Sequence, residues 1–207
     1  MYLSQLVLNG GNLKVLRDLS NDHKLHQRIM QGFPDEEERG QPRQDWRVLF
    51  RQEPESDVVL VQSGVEPDWS KLPERYLVSY GVKPVSLTVE QLAAGRVFQF
   101  RLRGNPSKRD PKTRKTVGFY RRPDQLAWLE RQGDRHGFRL LNVDVIPSPN
   151  VFGRKKGGGG PVRLTTALYQ GVLEVTDGAE FLGVLEAGLG RGKSYGCGLL
   201  SIAPVIS

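Results

Sequence analysis

The sequence predicts an α+β fold of two tandem ferredoxin-like units, each a β-α-β-β-α-β run of about 90 residues. Strand-like alternation and helix-like periodicity follow one another in that order twice along 207 residues. The length suits one large or two small domains. A make-up of 38% apolar and 26% charged residues is that of a globular chain able to bury its own core. The expected division is 1–92 and 93–207, with no residue-level repeat between the halves.

In the first unit, YLSQLVLN (2–9) carries Leu3, Leu6 and Leu8 and reads as a strand closed by the Gly10-Gly11 turn. Leu25, Ile29 and Met30 recur at helical spacing, so Asp22 to Met30 reads as a short amphipathic helix with Asp22 as its N-cap. A polar, acidic loop follows, QGFPDEEERGQPRQ. WRVLFRQE and DVVLVQSG then read as paired strands, DWSKLPERY as a weak helix interrupted by proline, and KPVSLTVE as a short closing strand.

The second unit opens on RVFQFRLRGN, whose alternation gives a strand with Arg101 and Arg103 on one basic face. Beyond a Pro/Lys/Arg-rich loop, PDQLAWLERQGD places Pro123 in the first turn and Leu126, Trp128 and Leu129 near one face of a helix. FRLLNVDVI is a strand. VRLTTALYQGVLEVTD is one long strand or a bulged one, with Gly171 as the break. GAEFLGVLEAGLG is a helix ending in glycines, and GLLSIAPV is the final strand. Between strands, Arg154-Lys155-Lys156 and four glycines make a flexible basic hairpin tip, an arm of the kind that orders on nucleic acid.

The net charge of +7 is unevenly placed. Residues 1–95 hold 11 Lys/Arg against 14 Asp/Glu; residues 96–207 hold 19 against 9. Between Arg96 and Arg122 lie ten basic residues and one acid, Asp110. That density repels itself unless a polyanion neutralises it, and a phosphate backbone is the usual polyanion. Cys197 is the lone cysteine, which excludes an intramolecular disulfide and a cysteine-based zinc site and favours a reducing cytoplasm. No apolar run reaches the length of a membrane span, and MYLSQLVLNGGN lacks the basic start and continuous apolar stretch of a signal peptide. No membrane partner is expected.

AGLGRGKS (187–194) is one residue short of a nucleotide-binding P-loop, with Ala187 where the first glycine belongs. Its context is reversed: it follows a helix and precedes a strand, whereas a P-loop meets phosphates at the start of a helix. No nucleotide cofactor is expected. The loop still presents backbone N–H groups, Arg191 and Lys193 to an RNA phosphate. His23 and His26 share a helix face at i, i+3, but no carboxylate follows at i+4 and His136 lies in the other half, so no metal or other cofactor is expected. Two readings of His26 stay open from the residues alone. It is an ordinary helix histidine, or it moves a proton in metal-free RNA cleavage with Lys24 and Arg28 steadying the phosphate charge.

YLSQLVLN, the Leu25-His26-Gln27 block, FRLRGNPSKR, QLAWLERQ and GLGRGKSYGCGLLSIAP, taken in order, resemble the CasE family. Its members are CRISPR RNA-processing endonucleases of type I-E systems, in the wider RAMP superfamily with its RRM-like units. The resemblance runs from the first strand to the last. It implies metal-independent cleavage of the repeat RNA at the base of its stem-loop, leaving a 2′,3′-cyclic phosphate and a 5′-hydroxyl. It also implies that the enzyme stays on the crRNA beside the other Cascade subunits, in the cytoplasm.

The family's catalytic histidine maps onto His26. Some members carry a tyrosine three residues earlier, where this sequence has His23. Arg101, Arg103, Lys108 and Arg109, with the arm Arg154, Lys155 and Lys156, match where family members grip the stem-loop. Arg114, Lys115, Arg163, Arg191 and Lys193 complete the expected RNA-binding set. A non-catalytic RAMP-type RNA-binding subunit is the alternative.

Overall fold

The computed structural model describes residues 1–34, 42–154 and 161–205. It divides into two units, Met1–Ser86 with Lys193–Gly196, and Leu87–Gly192 with Cys197–Ser207.

The first unit runs β1 (Tyr2–Leu8), α1 (Leu13–Leu19), α2 (Asp22–Met30), α3 (Pro42–Asp45), β2 (Leu49–Gln52), β3 (Val58–Ser63), a 3-10 turn at Trp69–Lys71, and β4 (Leu77–Pro84). Its sheet has the order β2-β3-β1-β4 with every neighbouring pair antiparallel. That order is the ferredoxin-like one: two β-α-β crossovers interleave and leave the first and third strands in the centre. Leu6, Leu8, Phe50, Val59 and Val61 from the sheet bury against Val15 of α1 and Leu25 and Ile29 of α2.

Three local expectations are corrected. The N-cap of α2 is Asn21, not Asp22: its extended backbone (φ −150, ψ 99) lets its side chain accept from the His23 and Lys24 amides. Asp22 falls in the first turn, where its carboxylate meets the helix dipole. DWSKLPERY forms only the 3-10 turn, because Pro73 disfavours helical geometry at Leu72, which is extended with ψ 155. The closing strand starts earlier than KPVSLTVE, since its register against β1 runs from Leu8 opposite Leu77 to Tyr2 opposite Pro84.

The second unit runs β5 (Val97–Gly104), β6 (Ser107–Arg109), β7 (Thr116–Gly118), α4 (Arg122–Arg135), β8 (Phe138–Pro147), β9 (Val151–Arg154), β10 (Pro161–Leu164), β11 (Ala167–Val175), α5 (Gly178–Ala187) and β12 (Leu200–Pro204). The sheet order β12-β5-β11-β8 repeats the topology of the first unit, again wholly antiparallel. Two hairpins, β6-β7 and β9-β10, are inserted into that plan. Phe100 and Leu102 of β5 pack with Trp128 and Leu129 of α4 and Phe181, Val184 and Leu185 of α5.

The strand across Gly171 is unbroken but bulged beside it, its register against β8 shifting between Val172 and Leu173. The break falls earlier, at buried Thr165 and Thr166, where the Thr166 hydroxyl donates to the Pro149 carbonyl at 2.7 Å. At Gly171 the Asn142 carbonyl occupies the space a Cβ would need. Among the described residues no helix is long and apolar enough to cross a membrane.

Candidate active site and nucleic-acid interface

Helix α2 turns Leu25 and Ile29 into the core and carries His23 and His26 one turn apart. The two imidazoles lie nearly parallel, 6.4 Å between centroids and 12° between planes. The His26 ring packs 6.1 Å from Phe50 of β2, which ties it to the sheet. The His23 ring packs 6.0 Å from Tyr195, carried by the 3-10 turn Lys193–Tyr195 that lies on α2 and β2. Both ring nitrogens of His23 are shielded from solvent and have no hydrogen-bond partner among the described residues. A row of three rings results, two of them imidazoles.

The base of α2 is fixed by a buried polar knot. Arg28 donates from Nε to the Asp18 carboxylate at 2.9 Å and from Nη1 to Gln31 at 2.9 Å. Tyr76 donates its hydroxyl to the same Asp18 oxygen at 3.0 Å, and the Arg28 guanidinium lies 5.1 Å over the Tyr76 ring. Burial, reinforced by the Asp18 charge, raises the Tyr76 phenol above its ordinary range. Arg28 therefore joins α2 to α1 in this structure, while Lys24 stands exposed on the outer side of the helix.

Of the expected site residues, His23, His26, Lys24, Arg28 and Lys193 gather in the first unit. The others belong to the second. Arg101 is exposed on β5 and donates to Gln170 at 2.9 Å. Arg103 is buried and donates to the Pro149 carbonyl at 3.3 Å. Lys108 and Arg109 form strand β6, and Arg114 and Lys115 lie in the turn that joins it to β7.

Asp110 holds that turn, accepting from the Lys112 and Thr113 amides and the Thr113 hydroxyl; the Thr113 bonds are the main reason its carboxyl sits below the usual range. Arg163 is exposed on β10. Arg154 closes β9 opposite Pro161. Lys155 and Lys156 lie outside the described residues, as does the Arg154 side chain.

The glycine-rich segment follows α5 and leads to β12, the reverse of a P-loop. Gly190 (φ +75) and Gly192 (φ +82) take left-handed backbone conformations that other residues adopt at a cost. Leu189 and Gly198 close the loop through a backbone bond of 2.9 Å, and Arg191 reaches from it to the Thr116 hydroxyl of β7 at 3.0 Å. Among the described residues no three His, Cys, Asp or Glu side chains cluster as metal ligands do.

Sequence reasoning missed Tyr195, which stands in a glycine-rich block without periodicity. It also passed over Arg131 and Arg135, four apart on α4, whose basic character the i, i+4 spacing alone could have flagged.

A family described as CRISPR associated protein matches residues 1–204. The chain is 37% identical over 214 residues to the CRISPR-associated endoribonuclease Cse3 of Thermus thermophilus, covering 99% of this chain and 100% of that one. It is 32% identical over 223 residues to the CRISPR system Cascade subunit CasE of Escherichia coli, covering 99% and 100%. Its fold matches the structure of Thermus thermophilus Cse3 bound to an RNA representing a pre-cleavage complex with a TM-score of 0.83, at 36% identity and 98% coverage of each chain.

Proposed function

Because the chain belongs to the CasE family of CRISPR-associated proteins, we propose that it is an endoribonuclease of CRISPR precursor RNA. It cuts at the base of the repeat stem-loop without a metal ion, and it stays on the processed RNA as a Cascade subunit in the cytoplasm. The relatives carry the activity and the assembly in their names, endoribonuclease and Cascade subunit. The observation that carries the reading on this chain's own residues is the stacked pair of His23 and His26 on a capped, core-anchored helix.

The chemistry is a transesterification. The 2′-oxygen attacks the adjacent phosphorus in line, the P–O5′ bond breaks, and a 2′,3′-cyclic phosphate and a 5′-hydroxyl result. His26 carries a proton in that exchange, taken from the 2′-hydroxyl or given to the departing 5′-oxygen. His23 lies beside it in the place where some family members have a phenol, and either positions the phosphate or takes a proton itself. Lys24 and Lys193 add positive charge in the same unit. The second unit supplies the grip through its basic β5 strand, its β6-β7 hairpin and the arm at Arg154, Lys155 and Lys156. An A-form stem offers mainly backbone and shape to such residues. Turnover is slow and single, because retained product serves assembly.

The test is cleavage of the cognate repeat hairpin in EDTA by the parent chain and by His26→Ala, with end-group analysis. Cleavage to a cyclic phosphate by the parent, and a loss of at least a hundredfold in the variant, is expected. Undiminished cleavage by the variant sinks the assignment of His26. Binding without cleavage of any repeat by the parent leaves the RNA-binding subunit as the reading.

A further inference from the structure

The second unit contains a cavity of about 360 Å³ with five cationic side chains among its ten lining residues. Lys108 and Arg109 come to it from β6, Arg131 and Arg135 from α4, and Arg191 from the glycine-rich loop. No aspartate or glutamate lines it. Among the described residues, none of these five side chains forms an ion pair. Their direct contacts are with uncharged groups, Arg109 donating to the Arg114 carbonyl, Arg191 to the Thr116 hydroxyl, and the Lys108 ammonium standing 5.9 Å over the Phe119 ring, while Lys108 also feels the Asp110 charge at longer range.

Arg131 and Arg135 are one helical turn apart and so face the same way, an arrangement of like charges that weakens a helix unless something neutralises it. A helix dipole accounts for a cation in the last turn, but not for the convergence of four further cations from three segments. The walls are set before any ligand arrives. The Arg191–Thr116 bond ties the glycine loop to the hairpin, and at Gly190 the Trp128 ring lies where a side chain would begin, 3.1 Å from a Cβ.

We infer that this cavity, built wholly from the second unit, is an RNA-contact site of its own that takes one nucleotide of the repeat RNA by its phosphate. Four guanidinium groups provide the forked donors that match phosphate oxygens. Gln132 adds an amide suited to a sugar or base edge. The volume is at the small end of ligand sites and admits a single nucleotide. A carboxylate-bearing peptide is the rival ligand; the cationic rim with little apolar wall favours phosphate. The inference rests on the RNA-processing reading and adds Arg131 and Arg135 to it.

The full chain is compared with Arg131→Ala/Arg135→Ala and with Lys14→Ala/Arg17→Ala, which removes equal charge from exposed positions on α1. Binding of the cognate hairpin is followed by anisotropy across a salt series, then repeated with hairpins carrying one neutral methylphosphonate at each position in turn. Circular dichroism checks the fold of each variant, and Arg131→Gln/Arg135→Gln replaces the alanine pair if that pair unfolds.

The expected result is about tenfold weaker binding at moderate salt for the α4 variant only, with the log-log salt slope smaller by about 1. One methylphosphonate position weakens the parent and leaves the α4 variant unaffected. Unchanged affinity and slope in the α4 variant overturn the proposal, as do losses that add at every phosphate. So does unchanged RNA binding with a poly-glutamate peptide that binds the parent but not the variant. Cleavage at saturating RNA is read in parallel. A parent that binds through the pocket but does not cleave overturns the endoribonuclease reading and not this one.

Discussion

The His23 imidazole and the Tyr195 ring lie 6.0 Å apart and tilted by 34°, although one comes from the second helix and the other from the last tenth of the chain. Tyr195 closes one side of His23 as a wall closes one side of a slot. Under the proposed function it is expected to act as a positioning residue through its ring. Tyr195→Phe is expected to keep single-turnover cleavage within about twofold, and Tyr195→Ala to lower it about tenfold with RNA affinity unchanged, because a loosened imidazole is misaligned with its phosphate. Equal losses in both variants would assign the role to the phenolic hydroxyl instead.

The polar knot at the base of α2 has a stability of its own. Asp18 is buried, and it takes both the Arg28 guanidinium and the Tyr76 hydroxyl. Asp18→Ala strands a part-buried cation and is expected to cost about 2–3 kcal/mol in urea unfolding. The Tyr76 phenol is raised in the folded chain, so the unfolded phenol ionises first as pH rises. The Tyr76 contribution is therefore whole below about pH 10 and is lost as pH rises towards the folded value. Unfolding midpoints across an alkaline series, parent against Tyr76→Phe, read this directly.

Asn21 and Asp22 are adjacent cap-forming residues, yet Asn21 is the N-cap whose side chain holds the first amides of α2. Asn21→Ala is expected to destabilise by about 1 kcal/mol, while Asp22→Ala, which leaves the Asn21 cap bonds in place, is expected to cost about half as much or less. Thermal melts of the two variants distinguish the roles; equal losses would mean that the cap is shared.

Asp110 gives the β6-β7 hairpin an acid-sensitive turn. Its carboxyl is held below the ordinary value by the Thr113 bonds, so the folded turn keeps its negative charge after an open turn has taken a proton. The contribution is present above about pH 4 and falls away as pH drops through the lowered value. Amide exchange at Lys112 and Thr113, followed downward from pH 6, is expected to quicken there relative to the β5-β11 amides. Asp110→Asn is expected to lose that pH dependence.

Much of the fold can be read from the sequence wherever one face of an element is apolar. Helix α4 announces itself through Pro123, Trp128 and Leu129, and β5 through its alternation of Phe98, Phe100 and Leu102 with Gln99 and Arg101. Helix α1 is silent for the same physical reason. Leu13 and Leu16 are 79% and 51% exposed, while Asp18 is buried, so its pattern is nearly inverted. The histidine pair is visible as spacing on one helix. Its neighbour Tyr195 is not, because no local rule brings residues 193–196 to the first unit. The convergence of Arg131 and Arg135 with Lys108, Arg109 and Arg191 is likewise a tertiary fact, and charge density along the chain marks only the part of it between Arg96 and Arg122.

The assignment of Lys193–Gly196 to the first unit bears on how such a chain can change over generations. A gene fragment encoding residues 1–86 specifies the histidines but not the tyrosine beside them, so this half cannot be lifted out and recombined as a self-sufficient cassette. Its reading frame is tied to that of the other half by four residues. The first unit is thus encoded in two separated stretches, 86 residues at one end and four near the other, which must be inherited together.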